Sequence, residues 1–425
     1  MRRRGLRDCK CFFYHKGHKG TRRKAMTASY ELWLLDDKGK RILLLQNMAF
    51  FSYSRPVKGI GTLLIGIPYR EFREQIFPVF EPDWRVDVWR SPQTGMPLRR
   101  EGTYLLRTHK IYTRKLDGMD IISFYGRDLK DLLRRRYVIQ AAGFPQTRKE
   151  NYIDDMMKEI VTEQMLYGSA LDETGAVDNG RAWPENEFLV QGDTSIGPSF
   201  TATFADQQVL DILRELQDAS FQLNENEPLV NVRIYFDIVA FDAAPGAAFE
   251  QGFKFVTFGE LRGEDRSESA LIFSVQNNNL EMPYYTLDHS DEENSIVVKG
   301  FGRGNSRATV IVDDPDRISA SRWNRCEGYE DASTEPDQDF LEDFGYTRLY
   351  EGAPREELSA VFLNVPGSED TPRSLYGVDW DLGDLLPVDY AGNQVSVEVV
   401  IVYVGVDQDG AETITGRNDI NAGDQ

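Results

Sequence analysis

Residues Tyr376-Gly377-Val378-Asp379-Trp380-Asp381-Leu382-Gly383-Asp384 lead into a run in which Val395, Val397, Val399, Ile401 and Tyr403 occupy every second position. Alternation with period two marks a β-strand with one face on a core, so the spacing predicts a single strand over 395–403. Gly383-Asp384 supplies the turn before it, because Gly tolerates positive φ and an Asp carboxylate accepts hydrogen bonds from the amides that follow. Asp407-Gln408-Asp409-Gly410 has hairpin-turn chemistry. Tyr376, Asp379, Trp380, Asp381, Gly383 and Asp384 are therefore assigned to turn capping and strand geometry, in a C-terminus built as a β-barrel or β-sandwich. Asp379 and Asp381, two residues apart, are expected to share one face of a strand edge.

Working outward, residues 31–124 read as short strands separated by turns: 32–35, 41–46, 61–67, 84–90, 102–112 and 119–125, with hairpins at Asp36-Asp37-Lys38-Gly39 and Leu116-Asp117-Gly118. A short helix over 129–136 ends in Arg134, Arg135 and Arg136, a basic cluster suited to the acidic face of a partner subunit. The clearest helix is Tyr152–Leu166, where Ile153, Met156, Met157, Ile160, Val161 and Met165 form one stripe and Asn151 is available as N-cap. After a Gly-, Asp- and Asn-rich loop over 168–197, a second helix spans 206–219, and strands resume at 230–241, 252–258 and 270–275. A final block runs from Ile296 to Val404. The organisation is α+β and β-dominated, with two barrel-like domains around a helix-containing region: 26–127, 128–225, a β-rich connection over 226–295, and 296–425.

No recognisable chemical constellation accompanies these elements, and no catalytic, cofactor-binding or metal-ligating residue is assigned. Gly300, Gly302 and Gly304 lack the spacing and lysine of a phosphate loop and precede the strand-like Arg307–Val312, so they read as a glycine-rich hairpin. Asp288–Glu293 and Glu335–Asp343 are short acidic clusters expected in loops. His109 falls in a strand and His289 in an acidic loop. The six tryptophans, at 33, 84, 89, 183, 323 and 380, are dispersed and read as core or interface anchors, with sugar platforms as the alternative.

The charge of −20 averages unlike parts. Residues 1–25 hold ten Lys or Arg against Asp8, residues 26–150 hold 22 basic against 14 acidic, and the remainder holds 17 against 54, or −37. Such an acidic body repels phosphates and suits a conduit that DNA passes without sticking. No run of about 18 apolar residues is present to span a membrane. The three cysteines do not build a disulfide framework. Basic residues 1–25 lack apolar periodicity and are expected to be disordered or absent from the mature protein. Cys9, Cys11, His15 and His18 are zinc-type donors, but one residue between the cysteines departs from the usual chelate spacing.

The C-terminal motif and strand resemble those of the minor tail proteins that form the tail-tip baseplate hub of long-tailed phages. Three further segments agree in order: Val86-Asp87-Val88-Trp89-Arg90 with Gly102-Thr103-Tyr104-Leu105-Leu106-Arg107; Asp131-Leu132-Leu133-Arg134-Arg135-Arg136; and Val297-Val298-Lys299-Gly300-Phe301-Gly302-Arg303-Gly304. The resemblance covers most of the chain from about Leu43 onward and extends to the related hub fold of VgrG spikes. It implies a structural, non-enzymatic virion protein at the tail tip, assembled in the host cytoplasm as a homotrimer beneath the distal tail protein ring. By the same resemblance it gates the tube for the tape measure protein and transient DNA passage, and anchors receptor-binding or tail fibre proteins. The alternatives are the hub of a contractile injection or secretion system, and a carbohydrate-binding or degrading tail protein.

Overall fold

A computed structural model describes residues 28–70, 73, 82–115, 117–140, 146–167, 181–184, 186–220, 233–333, 337–368 and 371–418. The basic extension with Cys9, Cys11, His15 and His18 lies outside the described residues. Seven strands open the chain: β1 (Ser29–Leu35), β2 (Arg41–Leu45), β3 (Phe50–Pro56), β4 (Thr62–Pro68), β5 (Arg85–Ser91), β6 (Arg99–Thr113) and β7 (Asp120–Asp128). A helical region follows with α1 (Asp131–Arg134), β8 (Thr147–Tyr152), α2 (Ile153–Val161) running into a π-helical turn at Thr162–Tyr167, β9 (Phe188–Val190), β10 (Ser199–Phe204) and α3 (Val209–Ala219). Then come β11 (Ile234–Asp242), β12 (Gln251–Gly259), β13 (Phe273–Ser274), β14 (Leu280–Asp288), β15 (Ser295–Lys299), β16 (Thr309–Asp313), α4 (Pro315–Ser319), β17 (Glu327–Asp331) and α5 (Gln338–Glu351). The chain closes with β18 (Arg355–Leu363), β19 (Leu385–Tyr390), β20 (Asn393–Glu398), β21 (Ile401–Val406) and β22 (Glu412–Arg417). The fold is α+β and dominated by antiparallel sheet.

One sheet of eleven strands, in the order β14-β18-β22-β21-β3-β4-β7-β6-β5-β1-β2, carries both the first and the last of the described strands. Its centre is the antiparallel pairing of β21 with β3, where Val404 lies opposite Tyr53 and Val406 opposite Phe51. A single apolar core lies against it, uniting Leu32, Ile65 and Val86 with Phe362, Trp380 and Val402. Regions 26–127 and 355–417 are thus joined edge to edge through continuous hydrogen bonding. Residues 295–352 stand apart from that sheet: β16-β15-β17 is covered by α5 around a small core of Ile296, Val298, Val310, Val312, Leu341 and Leu349. A third core gathers α2, α3 and the β11-β12-β9 sheet, with the predicted methionine stripe wholly buried in it.

Several elements differ from the sequence expectation. The run 395–403 is two strands: β20 pairs with β19, whereas β21 lies between β22 and β3 in the main sheet. The chain changes sheets at Val399-Val400, and a continuous alternation bridges that step because Val399 is fully buried. β3 was not anticipated, although Phe51, Tyr53 and Arg55 alternate along it. Residues 338–343 of the acidic stretch over 335–343 fall in helix α5, since Leu341 and Leu349 need a helix to reach the small core of β15 and β16. α2 begins at Ile153 with Tyr152 as N-cap and no side-chain cap, because Asn151 Oδ1 instead accepts the Tyr152 N–H at 2.9 Å. Asp379 and Asp381 lie on a turn rather than a strand edge. Among the described residues, no helix is long and apolar enough to cross a membrane.

Candidate functional site

The 376–384 segment wraps across the joint between the two chain ends. Trp380 is fully buried, donates from Nε1 to Ser374 O at 3.0 Å, and lies among Tyr376, Phe273 and Phe362 with ring centroids 5.2–6.4 Å away. Asp379 closes the turn by accepting the Leu375 N–H at 2.8 Å and pairing with Arg373. Gly377 has φ +80°, and a Cβ there would fall 2.6 Å from Arg99 Nη2, so the turn needs glycine to let that guanidinium approach. Gly383 has φ +84°, and its missing Cβ would lie 2.6 Å from Arg262 Cβ. Asp384 is buried and accepts from Glu264 N–H at 2.8 Å, Arg266 Nε at 2.7 Å and Asp381 N–H at 2.8 Å. Burial nonetheless holds its carboxyl above the ordinary range.

Beneath this turn lies a buried charge cluster. Glu101 on β6 is inaccessible to solvent and receives Arg55 of β3 at 2.9 Å, Arg99 at 2.6 Å and the Tyr376 hydroxyl at 2.7 Å. Asp381 answers the same two arginines, Arg99 at 2.6 Å and Arg55 at 3.5 Å. Burial raises the Asp381 carboxyl, but the two guanidiniums prevail and leave it below the usual value. Burial drives the Tyr376 phenol well upward. Two carboxylates therefore face two guanidiniums, with a phenol whose proton is held by Glu101. Alongside, fully buried Arg90 of β5 donates to Tyr376 O at 3.0 Å and forms a two-pronged bond with Glu412 of β22 at 2.9 and 3.0 Å. Asn364 joins that pair by donating to Glu412 and accepting the Tyr376 N–H.

The arrangement fastens strands together. Each ionised group has an opposite partner within salt-bridge distance, and because the Arg90 side chain is inaccessible to solvent and pairs with Glu412, removing that carboxylate leaves a buried charge uncompensated at a cost of about 3–5 kcal/mol. The six C-terminal motif residues converge here. Gly300, Gly302 and Gly304 do not: they form the turn between β15 and β16, with Gly300 N–H bonded to Ala308 O. Arg134 and Arg135 both bind Asp131, and Arg135 also binds Asp83, so intramolecular carboxylates take the role expected of a partner. Arg136 stacks over Trp183, 4.9 Å from its centroid. His289 pairs with Glu292, and His109 lies near Phe124 on β6. Of the tryptophans, Trp380 and Trp84 are core, while Trp323 is 84% exposed.

None of Arg55, Arg99, Glu101 and Glu412 stands out in the sequence, and Arg90 does so only as the last residue of the Val86–Arg90 segment. The aromatic alternation of β3 points to Arg55 as a neighbour of the core, but pairings spanning 275–326 residues have no local signature.

No protein-family model matches the sequence, and no curated protein matches it. Solved structures similar to this chain include the tail protein from Neisseria meningitidis MC58, with TM-score 0.49 and 11% identity over 93% of this chain and 97% of that one. The 43 kDa tail protein of prophage MuSo2 from Shewanella oneidensis gives 0.49 and 10% over 93% and 99%. Prophage tail protein gp18 from Listeria monocytogenes EGD-e gives 0.48 and 10% over 92% and 95%. These neighbours are tail proteins, two of them from prophages.

Proposed function

We propose that this chain is a structural tail-tip baseplate hub protein, assembling as a homotrimeric ring that docks on a distal tail ring and gates passage of the tape measure protein and DNA. The observation that carries the reading is the pair of opposed edges on the eleven-stranded sheet. Among the described residues, β2 and β14 each have one sheet neighbour, and an unpaired strand edge is a template for another chain. The edges differ in charge: β2 and the hairpin leading into it hold Lys38, Lys40 and Arg41 against Asp36 and Asp37, a small positive balance, and β14 carries exposed Glu281 and Asp288. Head-to-tail contacts between unlike edges generate closed rings when the rotation closes. The buried arginine–carboxylate cluster supports the same role, since it stiffens the joint that a ring subunit needs under load. The −37 balance over residues 151–425 supports a lumen from which DNA is repelled.

Mass photometry and sedimentation test the reading. A trimer is expected, dissociating when Lys40→Glu and Arg41→Glu are combined and recovering when Glu281→Lys and Asp288→Lys are added. A strictly monomeric mass at high micromolar concentration overturns it.

A further inference from the structure

Away from the charge cluster, an open groove of about 550 Å³ runs between α2 with its π turn and residues 188–193, a volume in the range of ligand-sized clefts. We propose that this groove binds an extended basic peptide segment of a partner protein, which adds a strand to the free edge of β9 and sets Lys or Arg side chains against the carboxylates of α2.

The strand edge is the first observation. Among the described residues, β9 is the outer strand of the β11-β12-β9 sheet. Glu187 O accepts the Phe253 N–H at 2.8 Å and Gln191 N–H reaches Phe255 O at 3.0 Å, so residues 187 and 191 turn their backbone groups toward β12. Successive residues of a strand point those groups in opposite directions, which turns the Val190 N–H and C=O away from β12. An extended peptide satisfies such an edge with its own backbone, the mode of β-augmentation.

Charge is the second. Asp154, Asp155, Glu159, Glu163 and Asp193 stand in or beside the groove against Lys149 and Lys158, an excess of three carboxylates. Both lysines are buried and each already serves two carboxylates, Lys158 at 2.8 and 3.1 Å and Lys149 at 2.5 and 2.8 Å. Glu159 is exposed although it shares Lys149 with Glu163, and exposed Asp193 at the end of the groove faces solvent, so two carboxylates lie within reach of an incoming cation. Among the described residues no group of three or more His, Cys, Asp or Glu is placed to hold a metal ion, which favours a side-chain ammonium or guanidinium. Phe188 and Leu166 give the stem of such a side chain an apolar wall. The helix widens into its π turn at Thr162–Tyr167 where it borders the groove, a distortion common at functional sites.

The probe is an acetylated, amidated hexapeptide of alternating Lys and Val, compared by fluorescence anisotropy with its Glu and Val counterpart on the full chain. The Lys peptide is expected to bind, to slow hydrogen exchange at the Val190 amide, and to weaken about tenfold with Val190→Pro, which deletes the outward N–H and leaves the β12 bonds in place. Asp193→Lys should weaken binding severalfold with circular dichroism unchanged. Equal binding of the two peptides, no binding at millimolar concentration, or full affinity in Val190→Pro overturns the proposal. None of these readouts depends on whether the chain forms a ring, so the hub reading stands or falls separately.

Discussion

Asp128, at the end of β7, shows how a single half-buried carboxylate shapes the response of the protein to pH. Its Oδ2 accepts the Gly61 N–H at 2.6 Å and Lys130 Nζ stands 3.7 Å away. Burial raises its pKa to about 6, aided by nearby Asp237 and opposed by Lys130. Asp237, also half-buried, goes the other way because Lys130 and Arg262 overcome desolvation and hold it low. The folded state thus binds a proton at Asp128 more tightly than the unfolded chain. Its contribution to stability is greatest below about pH 4 and is lost as pH rises through about 6. Asp128→Asn removes the ionisation, so the variant should be more stable than the parent at pH 7.5, by an upper bound of about 3 kcal/mol for a shift of about two units. The gap should close at pH 4. Urea midpoints at the two pH values check this, and an unchanged midpoint at pH 7.5 refutes it.

At the scale of elements, the turn before β19 decides how the C-terminus divides between two sheets. Gly383 N–H bonds Val399 O at 2.8 Å, which pins the turn against the point where β20 ends and β21 begins. A side chain at 383 meets an unfavourable φ together with Arg262 Cβ at 2.6 Å and the Gly263 backbone N at 2.7 Å. Gly383→Val is expected to cost about 1–3 kcal/mol from the dihedral, with the clash added to it. The loss should show as a lowered urea midpoint and impaired assembly. Wild-type stability in that variant contradicts the assigned geometry. The helices are governed differently: α2 and α3 are held by buried stripes, so their existence follows from periodicity while their ends follow from neighbours.

On the scale of the whole molecule, the β3–β21 pairing makes the first and last parts of the chain one cooperative unit. Amides of Leu63 and Ile65 in β4 should share a single opening free energy with those of Val402 and Val404 in β21 in native-state hydrogen exchange. Val298 and Val310, in the separate small core under α5, should exchange through a lower-energy opening. Distinct denaturant dependences for β4 and β21 would contradict a common unit. The same continuity gives the sheet two ends of opposite charge, the property on which the ring reading rests.

Local pattern was enough for much of this. Strands β1, β2 and β4 to β7, the hairpin turns at Asp36–Gly39 and Asp407–Gly410, and the buried faces of α2 and α3 follow from residue alternation, turn chemistry and helical spacing. Those forces act within a few residues, and so they can be read from a few residues. The same was true of the 376–384 motif as a turn rich in capping carboxylates. Only the tertiary structure decided that its Asp381 and Tyr376 meet Arg55, Arg99 and Glu101, that one valine run serves two sheets, and that the two ends of the chain share a core. Charge pairing and sheet order depend on which distant segments find each other, and the free energy that selects them belongs to the packed whole rather than to any stretch of sequence.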